Sequence, residues 1–478
     1  MGIFLFVYYF KDIKKEFKFL ILITLIALIT GIYETSNRPD AGLYHLPYIS
    51  NLNENKIILG LNNLHSRFGF TSFLQYISSV FNNSLFLEKA IFFPNLILYS
   101  SSLIYFLRLA TNAKISNELK ILALFFGISV AVDMNRFSEF GNDENAHMLF
   151  LIFITNFIIY FTKNNLNSKN YLKIIILLSL FLFMTKITYS VLILIIIFII
   201  FNSYKTFKFF EKLNIFLFLI FCLWILKNFL ISGCLIYPIE NTCFENLLWS
   251  NNFSNKESLI SEAWAKGFPD SKLKYEYIDY ISNFVWLPTW FDNHFIFIVK
   301  KISIIIIIFF SIIIYINQNG TLFKSSKGLR LIFYFNYIFL LIWFLKFPVY
   351  RFGSGILIST LAITFIYFLK NFSLIKFSKI TKIALPLLII LIFSKNIDRV
   401  IDRVQNNYIN KPWINIYSDN YEKKIYYKKI YFINNKKNYY YTTINNEICY
   451  YSPAPCTHEL KKLSYKNIWG YDLIFKNY

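Results

Sequence analysis

Charged residues are scarce in this chain of 478 residues. They make up 16% of it, whereas a soluble domain carries about 25%. Glycine and proline are also few, Phe, Ile, Leu and Tyr dominate, and 56% of the residues are hydrophobic. This balance excludes an ordinary soluble domain and predicts a protein that lies in a membrane.

Several familiar sequence signals are missing as well. We find no internal repeat and no heptad pattern. The first apolar stretch follows Lys11, Lys14, Lys15 and Lys18 and ends in Ile29-Thr30-Gly31, without the small-residue site at which a signal peptide is cleaved. We therefore expect this stretch to be retained as the first membrane span.

Long apolar runs fill most of the first 394 residues. A hydrocarbon core of about 30 Å needs about 20 apolar residues per helix. The run 171–202 is too long for one span and contains Thr185-Lys186-Ile187-Thr188 in its middle, which predicts two shorter helices that fold back near the outer face. The total is about eleven spans, in the runs 17–33, 86–108, 118–134, 146–162, 171–202, 213–232, 295–316, 329–346, 354–370 and 382–394.

The formal net charge is +22, but the basic residues lie in short loops between the apolar runs. Lys and Arg hold such loops on the cytoplasmic side of a membrane, so topology explains the charge and no nucleic acid partner is expected. A cytoplasmic N-terminus places all of these basic loops inside. We predict a multi-pass protein of a bacterial inner (cytoplasmic) membrane, with its C-terminus outside the cytoplasm.

The predicted fold class is an all-α polytopic membrane protein with a small extracytoplasmic α/β domain. The transmembrane domain covers residues 1–394 and has two large outer loops, 34–85 and 233–293. Two interfacial helices in the first of these loops would roof a water-accessible outer cavity. The C-terminal domain covers residues 395–478.

The cysteines form two close pairs and one isolated residue. Cys234 and Cys243 flank one short loop, and Cys449 and Cys456 flank another. Because the topology places both loops outside, we expect two local disulfides; four unrelated thiols are the alternative. Cys222 lies in an apolar run and is predicted to be a buried free thiol.

Two acidic segments lie on the predicted outer face. Asp40 follows the first span by a few residues, beside the N-terminus of a helix, where a carboxylate is favourable. Asp143 and Glu144 begin a helix after the turn at Gly141-Asn142, and His147 lies one turn further on. A helix cap and a solvated hairpin tip are the plain alternatives. In so apolar a chain, the ionisable groups of this turn favour a functional site.

The order of these features resembles the GT-C superfamily of membrane glycosyltransferases. Its members have an outer-face Asp after the first span, two interfacial helices and a second acidic turn after the third span, and several have a Thr-Lys where this chain has Thr185-Lys186. More narrowly, the chain looks like an uncharacterised bacterial family of multi-span membrane proteins. The motifs behind this likeness are Asp40…Tyr44-His45-Leu46-Pro47, Leu64-His65-Ser66-Arg67-Phe68-Gly69, Gly141-Asn142-Asp143-Glu144, Gly233-Cys234-Leu235-Ile236-Tyr237-Pro238 and Pro348-Val349-Tyr350-Arg351-Phe352.

The resemblance implies an inverting transfer of a sugar from a polyprenyl-phosphate-linked donor. Asp40 matches the catalytic carboxylate of the first outer loop, and Asp143 or Glu144 matches the second acidic loop. Many members carry paired acids where Ala41 follows Asp40 here, so a divalent metal is left open and no other cofactor is expected. The acceptor would be a glycan, a lipid or a protein outside the cytoplasm.

Basic residues on the outer face are candidates for holding the donor phosphate, because a leaving phosphate needs cationic partners. Lys186 is costly to bury in the middle of an apolar run unless it has a function. Arg351 and Lys346 belong to a short outer loop, and Arg67 and His65 to the first one. Interfacial snorkelling explains both arginines equally well, and a lone His is usually structural.

Three other functions fit parts of the sequence. A transporter or flippase of lipid-linked glycans would show inverted repeats and charges deep in the spans, but only one mid-run Lys is seen. A lipid-linked glycan polymerase would depend on outer-loop arginines more than on Asp40. A non-catalytic membrane scaffold leaves the acidic turn and Arg351 unexplained. The sequence therefore favours the glycosyltransferase, with Asp40 as general base.

Overall fold

A computed structural model gives the fold of the chain. It describes residues 40–82, 91–112, 114–132, 140–162, 168–202, 211–244, 246–250, 254–268, 276–303, 327–368, 426–444 and 448–476, together with short pieces at 18, 21–26, 305–306, 390, 394, 397–398, 401 and 405.

The described part of the chain is mostly helical and ends in two β-hairpins. The helices with described bounds are α1 (Leu46–Glu54), α2 (Phe73–Phe81), α3 (Phe93–Thr111), α4 (Asn117–Val132), α5 (Asp143–Thr162), α6 (Ser168–Thr185), α7 (Leu192–Asn202), α8 (Lys212–Ser232), α9 (Ser254–Ala265), α10 (Tyr277–Ser282), α11 (Leu287–Trp290), α12 (Lys327–Lys346) and α13 (Tyr350–Phe368). The strands are β1 (Tyr427–Phe432), β2 (Asn435–Thr443), β3 (Ser464–Ile468) and β4 (Tyr471–Phe475).

Four described helices are long and apolar enough to cross a membrane. They are α5 over Asp143–Phe161, α8 over Lys212–Ser232, α12 over Lys327–Lys346 and α13 over Tyr350–Tyr367. Two shorter apolar helices cover Asn170–Thr185 and Ile187–Phe201.

The prediction of about eleven spans is therefore not supported. An apolar run in the sequence does not fix the length of the helix that it forms. Helix α4 has only 16 residues, fewer than the about 20 that a hydrocarbon core requires. The predicted spans 17–33, 295–316 and 382–394 lie only partly within the described residues.

Helix α5 lies at the centre of the helical core. It packs against α3, α4, α6, α12 and α13, and its Phe150 and Phe153 are fully buried. Helix α8 lies at the side of α6 and exposes apolar residues such as Leu219 and Leu223. Cys222 is also exposed on α8, so the prediction that this thiol is buried was wrong.

The run 171–202 is divided into two helices at the tetrapeptide that the sequence singles out. Helix α6 ends at Thr185, Lys186 is extended, and a 3-10 turn over Ile187–Val191 leads into α7. Helices α6 and α7 then pack against each other. This break places the ammonium group of Lys186 at a helix end rather than inside a helix.

The first outer loop contains two short helices. A π-helix over Ala41–His45 leads directly into α1, and α2 begins with a capping box between Ser72 and Gln75. Helices α1 and α2 pack against each other. Both lie in the stretch for which the sequence predicts two helices; their interfacial location stays a prediction.

The C-terminal segment is a pair of antiparallel hairpins, β1–β2 and β3–β4. The strands of the predicted α/β domain lie within residues 426–444 and 448–476, and its short described pieces at 397–398, 401 and 405 are helical. The second hairpin adds to the first outer loop: the Leu59 N–H donates to the Asp472 carbonyl at 2.8 Å, and the Ile474 N–H to the Leu59 carbonyl at 2.9 Å. The segment therefore rests on the loop that carries Asp40.

Both cysteine pairs form disulfides. Cys234 is bonded to Cys243 and Cys449 to Cys456. The first closes the turn after α8, and the second lies between β2 and β3, in the segment that contacts the first outer loop.

Candidate functional site

Asp40 stands at the start of the first outer-loop helix and forms an ion pair with Arg351. Its carboxylate makes no capping hydrogen bond to the π-helix that follows; instead, its Oδ2 pairs with Nη1 of Arg351 in the first turn of α13. The helix-cap explanation of Asp40 is therefore not what the structure shows. Two residues more than 300 positions apart meet at this point.

Asp143 extends this pair into a chain of four charged groups. Its Oδ2 pairs with Nε of Arg351, and its Oδ1 lies 2.6 Å from Nζ of Lys186. The order is thus Asp40, Arg351, Asp143, Lys186. Because α5 and α13 pack side by side and begin at the same end, the sequence positions of Asp143 and Arg351 bring them together.

The helix break explains how Lys186 reaches Asp143. The side chain of Lys186 is 10% exposed and that of Asp143 is 18% exposed, so both groups would be costly to bury alone. The ammonium also lies 4.3 Å from the centroid of the Phe352 ring, a favourable cation–π distance. An ion pair and an aromatic face together compensate for the burial of this lysine.

His147 and Tyr189 support the cluster from behind. The Nε2 of His147 lies 2.8 Å from the Arg351 carbonyl oxygen, and its Nδ1 lies 2.6 Å from the Tyr189 hydroxyl. Since a carbonyl only accepts, Nε2 donates to it, and Nδ1 accepts from Tyr189. The sequence placed His147 near Asp143 but gave no signal for Tyr189.

The cluster faces a cavity of about 840 Å³. The cavity wall combines charged groups with a large apolar surface. Its apolar part comes from α6, α8, α12 and the loops between them, and includes Phe183, Met184, Trp224, Ile342 and Phe347. The described charged groups on its wall are four cations, Arg67, Lys186, Lys346 and Arg351, and four carboxylates, Asp40, Asp143, Glu240 and Glu262.

The outer basic residues are also paired with carboxylates. Arg67 lies 3.4 Å from Glu257, and Lys346 lies 3.1 Å from Glu262. The sequence gave no role to either glutamate, because both come from the loop 233–293 and meet their partners only in the fold. Because the cations on the cavity wall are paired with carboxylates, the wall is close to neutral.

Two predicted site residues do not reach the cavity. Glu144 follows Asp143 on α5 but is not on the cavity wall. His65 is 5% exposed and lies next to His458, with ring centroids 5.1 Å apart. Burial lowers the pKa of His65 to about 3, so it is neutral at pH 7 and does not supply a charge for a phosphate.

Tyr44 and His45 line the cavity beside Asp40 and are both neutral at pH 7. Burial raises the pKa of the Tyr44 hydroxyl well above its usual range and lowers the pKa of His45 to about 4. The Nδ1 of His45 accepts a hydrogen bond from the Gln75 amide at 2.9 Å. Of the three neighbouring residues Asp40, Tyr44 and His45, Asp40 is therefore the one that brings a charge to the cavity.

The carboxylates of Asp40 and Asp143 are already paired with Arg351 and Lys186, so a metal ion in the cavity would have to displace these cations to bind them. His65, His458 and Glu459 have ligand atoms within 4.8 Å of one another, but they lie apart from the cavity wall. His65 Nδ1 accepts from the Arg67 N–H at 3.2 Å, and Lys461 lies 2.6 Å from Glu459. These contacts engage His65 and Glu459, whereas Nδ1 of His458 is buried without a hydrogen-bond partner in the described part of the chain.

Comparison with known proteins identifies one family. A family model described as "Domain of unknown function (DUF8201)" matches residues 3–358, a range that includes Asp40, Asp143, Lys186 and Arg351. No curated protein and no solved structure matches the chain. Because the matched range is more than half of the sequence, the chain belongs to the DUF8201 family.

Proposed function

We propose that this chain is an integral membrane glycosyltransferase of GT-C-like fold. It would move a sugar from a polyprenyl-phosphate-linked donor to an acceptor outside the cytoplasm, with Asp40 as general base. The observation that carries the proposal is the ion-pair chain Asp40–Arg351–Asp143–Lys186, which opens onto a cavity with an apolar wall.

The cavity suits a lipid-linked phosphate because it combines two kinds of wall. An isoprenoid chain needs apolar surroundings, which Phe183, Trp224 and Ile342 provide. A phosphate needs charged or hydrogen-bonding partners, which Arg351 and Lys186 provide at the other side of the same space. A purely soluble sugar would have no use for the apolar wall.

Exposed apolar helix faces support a membrane location. On α8, Leu219 is 54% exposed and Leu223 is 64% exposed; on α12, Leu341 is 58% exposed. Apolar patches of this kind are unfavourable in water and favourable against lipid tails. The finer proposal of a polytopic GT-C-like domain rests on these faces and on the order of the sequence motifs.

The ion pairs suggest how donor binding and catalysis are coupled. The guanidinium of Arg351 is shared between Asp40 and Asp143. A donor phosphate that takes over the Nη1 side of Arg351 would release the carboxylate of Asp40. Asp40 then accepts the proton of the acceptor hydroxyl. At the same time, the hydroxyl oxygen bonds to the anomeric carbon of the sugar, and the bond from that carbon to the phosphate oxygen breaks.

The remaining charges act on the leaving group. The departing polyprenyl phosphate gains negative charge as the sugar–oxygen bond breaks, and Arg351 and Lys186 stabilise that charge. Asp143 holds both cations, because its two oxygens contact one each. Asp143 is thus a positioning residue, whereas Asp40 touches the reacting hydroxyl.

The test is Asp40→Asn in the native host, with Asp279→Asn as the control. Asp279 is an exposed carboxylate of the outer loop, away from the cavity. Loss of a general base lowers the rate by about 100-fold or more. We expect Asp40→Asn to remove one sugar from the surface glycans and to increase its lipid-linked donor, as measured by mass spectrometry at equal membrane expression.

The opposite result has a clear meaning. If Asp40→Asn leaves glycans and donor pool unchanged while deletion of the whole gene alters them, Asp40 is not the base and the enzymatic proposal is rejected in favour of transport. Asp279→Asn should behave like the unaltered protein in both measurements.

A further inference from the structure

A second polar group lies beside the cavity, on the side formed by α8, and the proposed mechanism does not use it. Its centre is Lys227, which is 8% exposed. Its Nζ donates to the Thr71 hydroxyl and lies 5.0 Å from the Tyr76 ring centroid and 5.6 Å from that of Trp224. Within the described ranges, Lys227 has no carboxylate partner.

This lack of a partner sets Lys227 apart from the cations on the cavity wall. Arg67, Lys186, Lys346 and Arg351 each contact at least one carboxylate. A buried ammonium without a counter-ion is unfavourable, so an anion bound beside it would stabilise its charged form. Such a charge inside a membrane-spanning helix is costly, which points to a functional reason for keeping it.

Thr71 and Asn228 connect Lys227 with the cavity. Because Thr71 Oγ1 accepts from Lys227, its own hydrogen is donated to Asn228 Oδ1 at 2.6 Å. Thr71 and Asn228 both line the cavity. The positive charge of Lys227 therefore lies one side chain behind the wall.

Two hydrogen-bond donors in the same wall have no partner. They are Nε1 of Trp224 and the hydroxyl of Tyr237, whose residues are 8% and 4% exposed and line the cavity. Ring contacts join them to the rest of the wall: Trp224 lies 5.4 Å from Phe183, and Tyr237 lies 5.2 Å from Phe70. Both polar atoms are buried, so a ligand reaches them only if the side chains rotate.

Donors without acceptors, together with a cation without a carboxylate, describe a site for an oxyanion. We propose that Lys227, Trp224 and Tyr237 form a second oxyanion subsite of the cavity, beside Thr71 and separate from the phosphate position at Arg351 and Lys186. Its occupant is a second negative group of the substrate: either the second phosphate of a diphosphate-linked lipid or a carboxylate on the sugar. This inference rests on the proposed function, because it concerns the same ligand.

The experiment measures binding, which does not require transfer. Purified full-length protein in nanodiscs is titrated with four ligands of equal chain length: polyprenyl phosphate, polyprenyl diphosphate, and polyprenyl phosphate carrying a neutral hexose or a hexuronic acid. We expect the protein to prefer one of the two ligands with an additional negative group. Lys227→Met should lower that affinity by about tenfold or more, the scale of one charge-assisted hydrogen bond, and leave the other affinities within about twofold.

The matched control is Lys212→Met. Lys212 lies on the same helix, is exposed and does not line the cavity, so its replacement should change no affinity. Trp224→Phe and Tyr237→Phe each remove one donor and keep an aromatic ring. We expect each to weaken the same ligand by a smaller factor than Lys227→Met does.

The outcome also separates the two sources of the oxyanion. A selective loss for the diphosphate assigns the subsite to a second phosphate, and a selective loss for the hexuronic acid assigns it to a sugar carboxylate. An equal change for all four ligands, or none, overturns the inference and leaves a structural role for Lys227. Since Asp40→Asn tests transfer and this titration tests binding, either proposal can fail while the other stands.

Discussion

The Asp143–Lys186 ion pair should lose different amounts of stability depending on which of its two residues is replaced. Asp143 contacts both Lys186 and Arg351, whereas Lys186 has Asp143 as its carboxylate. Asp143→Asn therefore leaves two cations without this partner, while Lys186→Met leaves Asp143 still paired with Arg351. The first change should be the more destabilising one.

Burial sets the size of the difference. Removing one partner of a buried ion pair costs about 3–5 kcal/mol, and the 10% and 18% exposure of these side chains places the pair toward the lower end. We expect about 3 kcal/mol for Asp143→Asn and about 1 kcal/mol for Lys186→Met. The double variant should cost about 2 kcal/mol less than the sum of the two single variants. In it, Lys186 is no longer a cation without a partner, and Arg351 still pairs with Asp40.

A double-mutant cycle on the unfolding free energy in detergent measures this coupling. The matched control is the pair Lys173–Glu211, whose side chains are 34% and 38% exposed. A pair of that exposure contributes about 0–1 kcal/mol, so its cycle should show little coupling. Additive effects of Asp143→Asn and Lys186→Met, or a larger cost for Lys186→Met, would refute the arrangement.

Two further predictions concern the first outer loop and the start of α13. Burial lowers the pKa of His45 from 6.5 to about 4, so the unfolded chain binds the proton first as the pH falls. Neutral His45 therefore contributes ~3 kcal/mol to the free energy of unfolding above about pH 6.5, and this contribution is lost as the pH falls towards about 4. His45→Gln should flatten that part of the pH–stability curve, and an unchanged curve would contradict the prediction. Gly353→Ala should cost about 1–3 kcal/mol, since its new methyl group would overlap the Trp343 indole; Gly141→Ala, whose added carbon meets nothing within 4 Å, is the control in the same thermal unfolding assay, and equal melting temperatures would reject the overlap.

The sequence predicted helix positions better than it predicted membrane spans. The apolar runs and the polar tetrapeptide Thr185-Lys186-Ile187-Thr188 located α6 and α7, because a lysine in the middle of an apolar run is tolerated most easily at a helix end. The described residues do not support about eleven spans, since hydropathy reports composition and the lengths of helices such as α4 depend on packing with neighbours. A small C-terminal domain with strands was expected, but the pairing of its strands into two hairpins could not be predicted because these Tyr- and Lys-rich strands have no clear alternation.

The candidate site could be predicted where local sequence limits the options. Asp40, Asp143, Lys186 and Arg351 stood out because ionisable groups are rare in this chain, and the fold brings all four together. Tyr189, Glu257 and Glu262 could not be found in this way, since their partners His147, Arg67 and Lys346 lie more than 40 positions away. Lys227 was missed because it lies in the last two turns of an apolar helix, where snorkelling is the ordinary explanation.

The charge balance of the cavity decides what kind of ligand can enter it. Four described cations face four described carboxylates on the wall, so a neutral sugar finds no net attraction, and an anion must displace a carboxylate to reach Arg351. That exchange is favourable only for a ligand that brings more than one charge-assisted contact or a large apolar surface. A polyprenyl-linked phosphate brings both, because its chain gains from the apolar wall while its phosphate competes with Asp40 for Arg351. In the proposed function, these ion pairs would therefore select against small anions, which lack the apolar contribution, and in favour of a lipid-linked one.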